Sequence, residues 1–570
     1  MSEVGSAPAG GRLSRLIPAA GWLRDYDRRW LRNDLIAGLA VAALVVPKNL
    51  GYADIAGIPL QNGLYAAAAG AIIYALFCTS RHISTGPSSG LAAVAGGAVI
   101  VSEVGGEDAA ELVAAITLVT GALFLLMALL RLGWIARFLS KAVITGFLAG
   151  AAIDVVIGEL PKLTGTSADG DSAWRELGSW FGSLGDTHGA TLAVGLSALI
   201  VILALRRVKP EVPGALVLVV GGLLASALFN LESHGVALVG DVPSGLPTPE
   251  IPDPGLVGDH LATILIAALA LVLIGFSQTA GDARAFAARH RYRIDVDQES
   301  VAQGLANAGA GLVQGMPVTT SLSASSLNES AGARTQVSSL ATGALVIATL
   351  LFLAPVFSEL PLAVLGAVII DAVVFGMIDV AELRRLRRVT RFDFGIAIAA
   401  ILAVLTVGVL AGVVVGVALS LLWLIYVATR PPMPVLGREP GTQVFRDLTE
   451  NPADETIEGI TVLRLDGGLF FATSEALDER VRKLADEGEQ RALVLDLEGV
   501  NFVDSQGAQK LRELLELTTA EGVEMRLARL KPHVRAVLEA DELIDAIGAD
   551  HIHGNVHRAV EAQLAVDARR

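Results

Sequence analysis

Long stretches without a charged side chain recur along this chain: Leu35–Pro47, Ile55–Ser80, His82–Ser102, Leu112–Leu130, Ala142–Ile153, Thr187–Leu205, Val212–Leu231, Leu261–Gly281, Ser300–Asn328, Thr335–Ser358 and Phe394–Thr429. A bilayer crossing takes about 20 mostly apolar residues, and backbone buried in lipid must be helical. Phe394–Thr429 is long enough for two crossings, with a natural break near Gly412, and Leu360–Ile378 adds a crossing interrupted by Asp371. The pattern predicts about fourteen membrane segments. Beyond Pro431-Pro432-Met433-Pro434 it changes. Ile460–Ala472 alternates as strands do, Ser474–Glu487 reads as a polar helix and Ala492–Leu497 as a buried strand. Asp504-Ser505-Gln506-Gly507 reads as a turn into a helix over Ala508–Ala520, followed by a strand at Glu524–Ala528 and helix over Lys531–Ile547. Alternating strands and helices predict a small α/β layer domain.

Composition separates the same two parts. Of 570 residues, 53% are hydrophobic and 18% charged, and the mean hydropathy is +0.58. Gly441–Arg570 holds 26 acidic and 15 basic residues, whereas the preceding 440 hold 32 and 28. The negative charge is therefore concentrated in the tail, and the apolar part is almost balanced. The net charge of -15 argues against a nucleic-acid partner. A single cysteine, Cys78, excludes a disulfide framework. The nine histidines are scattered, and no catalytic triad, phosphate loop or metal-ligand spacing is present, so neither an enzyme nor a bound cofactor or metal is expected.

Basic residues set the topology. Clusters at Arg24/Arg28/Arg29/Arg32, Arg81, Arg131/Arg137/Lys141, Arg206/Arg207/Lys209, Arg284/Arg289/Arg291/Arg293, Arg334 and Arg384/Arg385/Arg387/Arg388/Arg391 fall in every second loop. The intervening loops, Glu103–Asp108, Ser167–Asp186 and Glu232–Asp259, are acidic or neutral. The positive-inside rule then places both termini in the cytoplasm of a multi-pass protein of the cell membrane. Met1–Asn33 lacks the apolar core of a cleavable signal.

Gly86-Pro87-Ser88-Ser89 is matched further along by Gly315-Met316-Pro317-Val318-Thr319-Thr320. Paired Gly/Pro-interrupted segments in two halves suggest inverted repeats whose half-helices meet at mid-membrane. Such a helix start offers unpaired N–H groups and the positive end of a dipole to an anion. Ser88, Ser89, Thr319, Thr320, Ser321 and Ser323 add hydroxyls; the alternative is that these small residues only let helices pack closely. Ionisable residues within spans are functional suspects. Lys48 either faces a cavity or snorkels from a span end. Asp282 lies one helical turn from Gln278, or serves as a boundary charge paired with Arg284 or Arg289. Asp154, Glu159 and Asp371 read as span ends or interhelical partners.

Asp34–Tyr65 (DLIAGLAVAALVVPKNLGYADIAGIPLQNGLY), Thr79–Ser89 (TSRHISTGPSS), Gly275–Arg289 (GFSQTAGDARAFAAR) and Met316–Gln336 (MPVTTSLSASSLNESAGARTQ) resemble the SulP sulfate-permease family of anion transporters. The tail resembles the sulfate transporter and anti-sigma factor antagonist (STAS) domain that follows the membrane part in that family. The resemblance implies an all-α membrane domain of about 14 segments in two inverted seven-segment repeats, with core and gate subdomains, followed by a small α/β STAS domain. The domains expected are a cytoplasmic segment over 1–33, the transport domain over 34–430, a linker over 431–457 and the STAS domain over 458–570. It implies a small-anion substrate, the lipid bilayer as surroundings, a homodimer, and a cytoplasmic protein partner for the STAS domain.

By resemblance, the substrate site comprises Lys48, Tyr52, Ser88, Ser89, Leu322, Ser323 and Ala324, with Gln278, Asp282 and Thr320 for ion coupling. Three positions depart from the family. Glutamine is frequent where Lys48 stands, arginine where Ala324 stands, and many bacterial members place an acid, implicated in H+ or Na+ coupling, at Gln278. A cation lost at Ala324 and gained at Lys48 conserves the site's charge, and Asp282 is the candidate for the coupling role. Ser505 matches a serine phosphorylated in related antagonists; alternatively Ser505 or Asp504 caps a helix. The function expected is secondary transport of a small anion by elevator-like alternating access, with sulfate leading and bicarbonate, chloride or dicarboxylate open, coupled to H+ or Na+. The alternatives are an uncoupled anion exchanger or channel, and a membrane-tethered STAS signalling sensor.

Overall fold

The structure, a computed structural model, describes residues 17–24, 26–131, 140–170, 172–209, 212–240, 242–486 and 490–569. Most of the expected N-terminal segment, and Arg137 of one basic cluster, lie outside the described residues. The chain divides into two compact units, Met1–Ser420 and Leu421–Arg570.

Leaving aside short helices such as Ala19–Arg24 and Ala173–Ser183, the first set of main helices in unit 1 is α1 (Leu31–Ile55), α2 (Leu60–Phe77), α3 (Ser89–Ser102), α4 (Glu107–Leu129), α5 (Lys141–Thr164), α6 (Gly189–Val208) and α7 (Gly214–Phe229). A second set follows as α8 (Leu261–His290), α9 (Val296–Leu312), α10 (Leu322–Ser330), α11 (Val337–Phe352) and α12 (Leu362–Met377). After the short basic helix α13 (Val380–Val389) it is completed by α14 (Arg391–Val407) and α15 (Val409–Ala428). Among the described residues, eight helices are long and apolar enough to cross a membrane. The two half-helix candidates are shorter: α3 has 14 residues and α10 has 9. At 1.5 Å per residue, roughly 21 and 14 Å, neither crosses a hydrocarbon core of about 30 Å.

Packing repeats with the chain. If α1–α7 correspond to α8–α12, α14 and α15 in order, then each major contact has a counterpart with the halves exchanged. The pairs are α2–α11 with α9–α4, α1–α11 with α8–α4, α1–α10 with α8–α3, and α5–α14 with α12–α6. Two clusters result, a core of α1–α4 with α8–α11 and a gate of α5–α7 with α12 and α14. The short strands before the half-helices, β1 (Thr85–Gly86) and β2 (Thr319–Thr320), pair antiparallel, Thr85 with Thr320 and Gly86 with Thr319. Equivalent strands running in opposite directions are what inverted halves require. Close approach comes from glycine: a Cβ on Gly121 of α4 would lie 2.7 Å from Ala308 N of α9.

One boundary differs from the sequence expectation. The break in the last apolar stretch is at Gly408, whose φ of +108° suits glycine, not at Gly412, which lies inside α15 against Val404. Helix α1 runs through Pro47, and of the two readings of Lys48 it is the one within a helix that its place in α1 matches.

In unit 2, β3 (Leu436–Arg438) and β4 (Phe445–Asp447) form an antiparallel pair. The main sheet is all parallel, in the order β5 (Ile460–Arg464), β6 (Ala492–Asp496), β7 (Glu524–Ala528), β8 (Ile552–His553). Its connections carry α16 (Ser474–Asp486), α17 (Ser505–Ala520), α18 (Pro532–Ala540) and α19 (Leu543–Ile547), and α20 (Val556–Asp567) closes the chain. Every residue of β6 is buried: the apolar run ALVL suits a central parallel strand, and Asp496 follows at its end. The strand expected over Ile460–Ala472 stops at Arg464, and the helix expected over Lys531–Ile547 divides at Glu542, whose φ is +59°.

Candidate functional site

The two half-helices start side by side because β1 and β2 hold them there. Ser321 N–H donates to Ser84 O at 2.9 Å, and Ser84 N–H to Ser325 Oγ at 2.9 Å. The N-cap residue of α3 is Ser88, in extended conformation and without a capping hydrogen bond. Among the described residues, Ser88 Oγ and Thr85 Oγ1 are buried without a hydrogen-bond partner. The start of α10 is partly satisfied: Ala324 N–H donates to Ser321 Oγ at 3.4 Å, and the Ser321 and Ser323 hydroxyls lie 3.3 Å apart. Uncommitted donors at a helix N-terminus, in a dry setting, suit an anion.

These starts face α1 across a narrow cleft of about 20 Å³ lined by Lys48, Tyr52, Gly86, Pro87, Ser323 and Ala324, with no carboxylate along its walls among the described residues. That is room for about one water-sized guest. Lys48 and Ser323 also line an adjoining cavity of about 460 Å³, which holds Arg206 of α6 and Asp371 of α12. The structure therefore brings Lys48, Tyr52, Ser323 and Ala324 to one cleft. Ser88 and Ser89 sit at the adjacent start of α3, whereas Leu322 is 56% exposed and does not line the cleft.

Of the three coupling candidates, two touch: Thr320 Oγ1 donates to Asp282 Oδ2 at 3.0 Å. Gln278 lies on the same helix, and its Oε1 is buried without a partner among the described residues, as is Thr279 Oγ1 next to it. Asp282 is thus engaged with β2 rather than with Arg284 or Arg289.

Of the other carboxylates singled out within spans, Glu159 and Asp371 are paired. Asp54 of α1 and Glu159 of α5 share Lys162, with Glu159 Oε1 at 3.0 Å. Arg206 holds Asp371 in a two-pronged contact, Nε to Oδ1 at 2.9 Å and Nη2 to Oδ2 at 2.7 Å. The sequence placed Arg206 in a loop cluster and so missed it as a cavity residue. The available signal was Asp371, a lone acid in an apolar run that needs a cation within reach. In unit 2, Ser505 is exposed in the first turn of α17, and the cap is Asp504, whose Oδ1 accepts from Gly507 N–H at 2.8 Å.

Comparison with known proteins agrees with this architecture. Residues 31–400 match the Sulfate permease family, and residues 451–559 match the STAS domain. "Probable sulfate transporter MT1781" of Mycobacterium tuberculosis is 36% identical over 557 residues, covering 96% of this chain and 99% of the relative. "High affinity sulfate transporter 2" of Stylosanthes hamata is 30% identical over 571 residues, covering 96% and 86%. Among solved structures, murine Slc26a9 in the inward-facing state superposes with a TM-score of 0.88 at 22% identity, covering 99% of this chain and 96% of that one. The transmembrane domain of the cyanobacterial bicarbonate transporter BicA superposes with a TM-score of 0.60 at 22% identity, covering 69% and 98%.

Proposed function

This chain belongs to the sulfate permease family and is an anion transporter rather than an enzyme; on that premise we propose that it carries sulfate by moving its core against its gate. The observation that supports this most is the pair of half-helix starts held together by β1 and β2, with uncommitted Ser88 and Thr85 hydroxyls and the ammonium of Lys48 on the facing helix. A tetrahedral dianion suits a site built from backbone N–H groups, hydroxyls and one compact cation.

Lys48 supplies from α1 the charge that relatives often place at Ala324. The proposal includes a position in the cell membrane with both termini in the cytoplasm, a homodimer, and a cytoplasmic protein partner for the STAS domain. The alternation of basic and acidic loops supports the orientation.

Coupling to H+ or Na+ is assigned to Asp282, because its carboxylate bonds to Thr320, two residues from the start of α10. A second reading, uncoupled exchange or conduction, draws support from the neutral Gln278. Uptake of sulfate into proteoliposomes, with chloride, bicarbonate and dicarboxylates as competitors and with imposed pH or sodium gradients, tests all of this. Sulfate uptake that follows one gradient supports the proposal. Uptake of another anion to the exclusion of sulfate overturns the substrate, and uptake or current indifferent to both gradients establishes the second reading.

A further inference from the structure

The cavity beside the cleft holds two cations on opposite sides of the core–gate division. Lys48 belongs to core helix α1; Arg206 belongs to gate helix α6, and Asp371 to gate helix α12. Lys48 makes no ion pair within 4 Å among the described residues, yet it lies within electrostatic reach of both Arg206 and Asp371. Asp371 occupies the Nε and Nη2 edge of Arg206, and the Phe375 ring lies 4.1 Å from the guanidinium carbon. The Nη1 end has no hydrogen-bond partner among the described residues, and the Arg206 side chain is 43% exposed where Asp371 is 8% exposed. The carboxylate is held and shielded while the guanidinium still presents donors to the cavity.

We propose that the Arg206–Asp371 pair determines how strongly this transporter discriminates divalent from monovalent anions. The inference rests on the anion-transport reading. With Lys48, the three groups leave a single net positive charge around the cavity. Asp371 acts as a tethered competitor: it offsets the attraction of Arg206, at an energy about twice as large for a dianion as for a monoanion, because Coulomb energy scales with ligand charge. Since Arg206 is on the gate and Lys48 on the core, an anion is gripped by both only while this cavity stands between them.

The test measures sulfate and chloride affinity of the purified full chain by calorimetry, together with uptake of each in proteoliposomes. Asp371→Asn adds one net positive charge and is expected to raise the sulfate-to-chloride affinity ratio by about tenfold. Arg206→Gln removes one and is expected to lower the ratio by a similar factor. The double variant restores the net charge and should return the ratio to within about threefold of wild type. A purely structural pair would lower the amount of folded protein, and binding of both anions alike, leaving the ratio unmoved in the single variants; that result overturns the inference. Wild-type protein that binds anions with the expected ratios in its variants but moves none across the membrane overturns the transport reading and leaves the inference standing.

Discussion

Asp282 of α8 receives the hydroxyl hydrogen of Thr320 at 3.0 Å, so a carboxylate from one helix is bonded to the strand that leads into the half-helix α10. Protonating or metallating that carboxylate alters a contact at the threshold of the anion cleft. Asp282→Asn is expected to abolish the dependence of sulfate uptake on an imposed pH or sodium gradient while leaving exchange measurable. A gradient response equal to that of the parent rules this role out.

Among the described residues, Lys48 is the single cation lining the narrow cleft. Replacing it by glutamine should weaken sulfate binding by about tenfold to a hundredfold, the range expected for losing a hydrogen bond to a charged group. Adding Ala324→Arg to Lys48→Gln should recover much of that loss, because the cation returns on the facing half-helix. Unchanged uptake by Lys48→Gln ends the idea of a relocated cation.

In unit 2, Asp496 on β6 is fully buried and held by Arg529, whose Nε lies 2.8 Å from Oδ1. Arg529→Met strands a buried carboxylate and should destabilise the domain by about 3–5 kcal/mol. Hydrogen exchange of β6 and β7 in the full chain is the measurement; protection unchanged from wild type contradicts it.

Burial, with the neighbouring Arg526, pushes His553 below its ordinary value of 6.5, and His551 and Asp550 also lie near it. The folded domain therefore binds fewer protons than the unfolded chain between the two values. This contribution to stability is complete above about pH 6.5 and is lost as pH falls through the lower folded value. Proteolysis of the tail should accelerate over that interval, and His553→Gln should flatten the profile.

The helix α17 is capped by Asp504, not Ser505. Asp504→Ala should cost about 1 kcal/mol, whereas Ser505→Ala should leave stability within about half of that. Denaturant titration of tail fluorescence or exchange compares the two, and a larger loss for Ser505→Ala reverses the assignment.

Much of this was legible in the chain. Apolar runs marked the helices, since lipid leaves backbone no other solution, and the matched Pro87 and Pro317 segments marked both half-helices. Charges inside spans were harder. For Lys48 the sequence leaves a cavity or a span end open because Pro47 precedes it, and a proline does not end a helix whose neighbours hold its backbone in place. Arg206 looked like one of three cytoplasmic cations, and only the geometry of α6 against α12 shows that it turns inward to Asp371. The Gly408 break was missed for a related reason: Gly412 is equally permissive locally, and its packing on Val404 decides that it stays helical. In unit 2, β8 went unread because a two-residue strand carries too short a pattern to register, and the 12-residue α20 beyond it was not assigned either.

The antiparallel ladder of Thr85, Gly86, Thr319 and Thr320 has one more consequence. Its two strands come from opposite halves, so the anion cleft is joint property of a sequence and its upside-down counterpart. Neither half builds the cleft alone, since each supplies one strand of the ladder. The two halves need not match side chain for side chain: among the described residues lining the cleft the cation comes from α1, and α8, the counterpart of α1, contributes none.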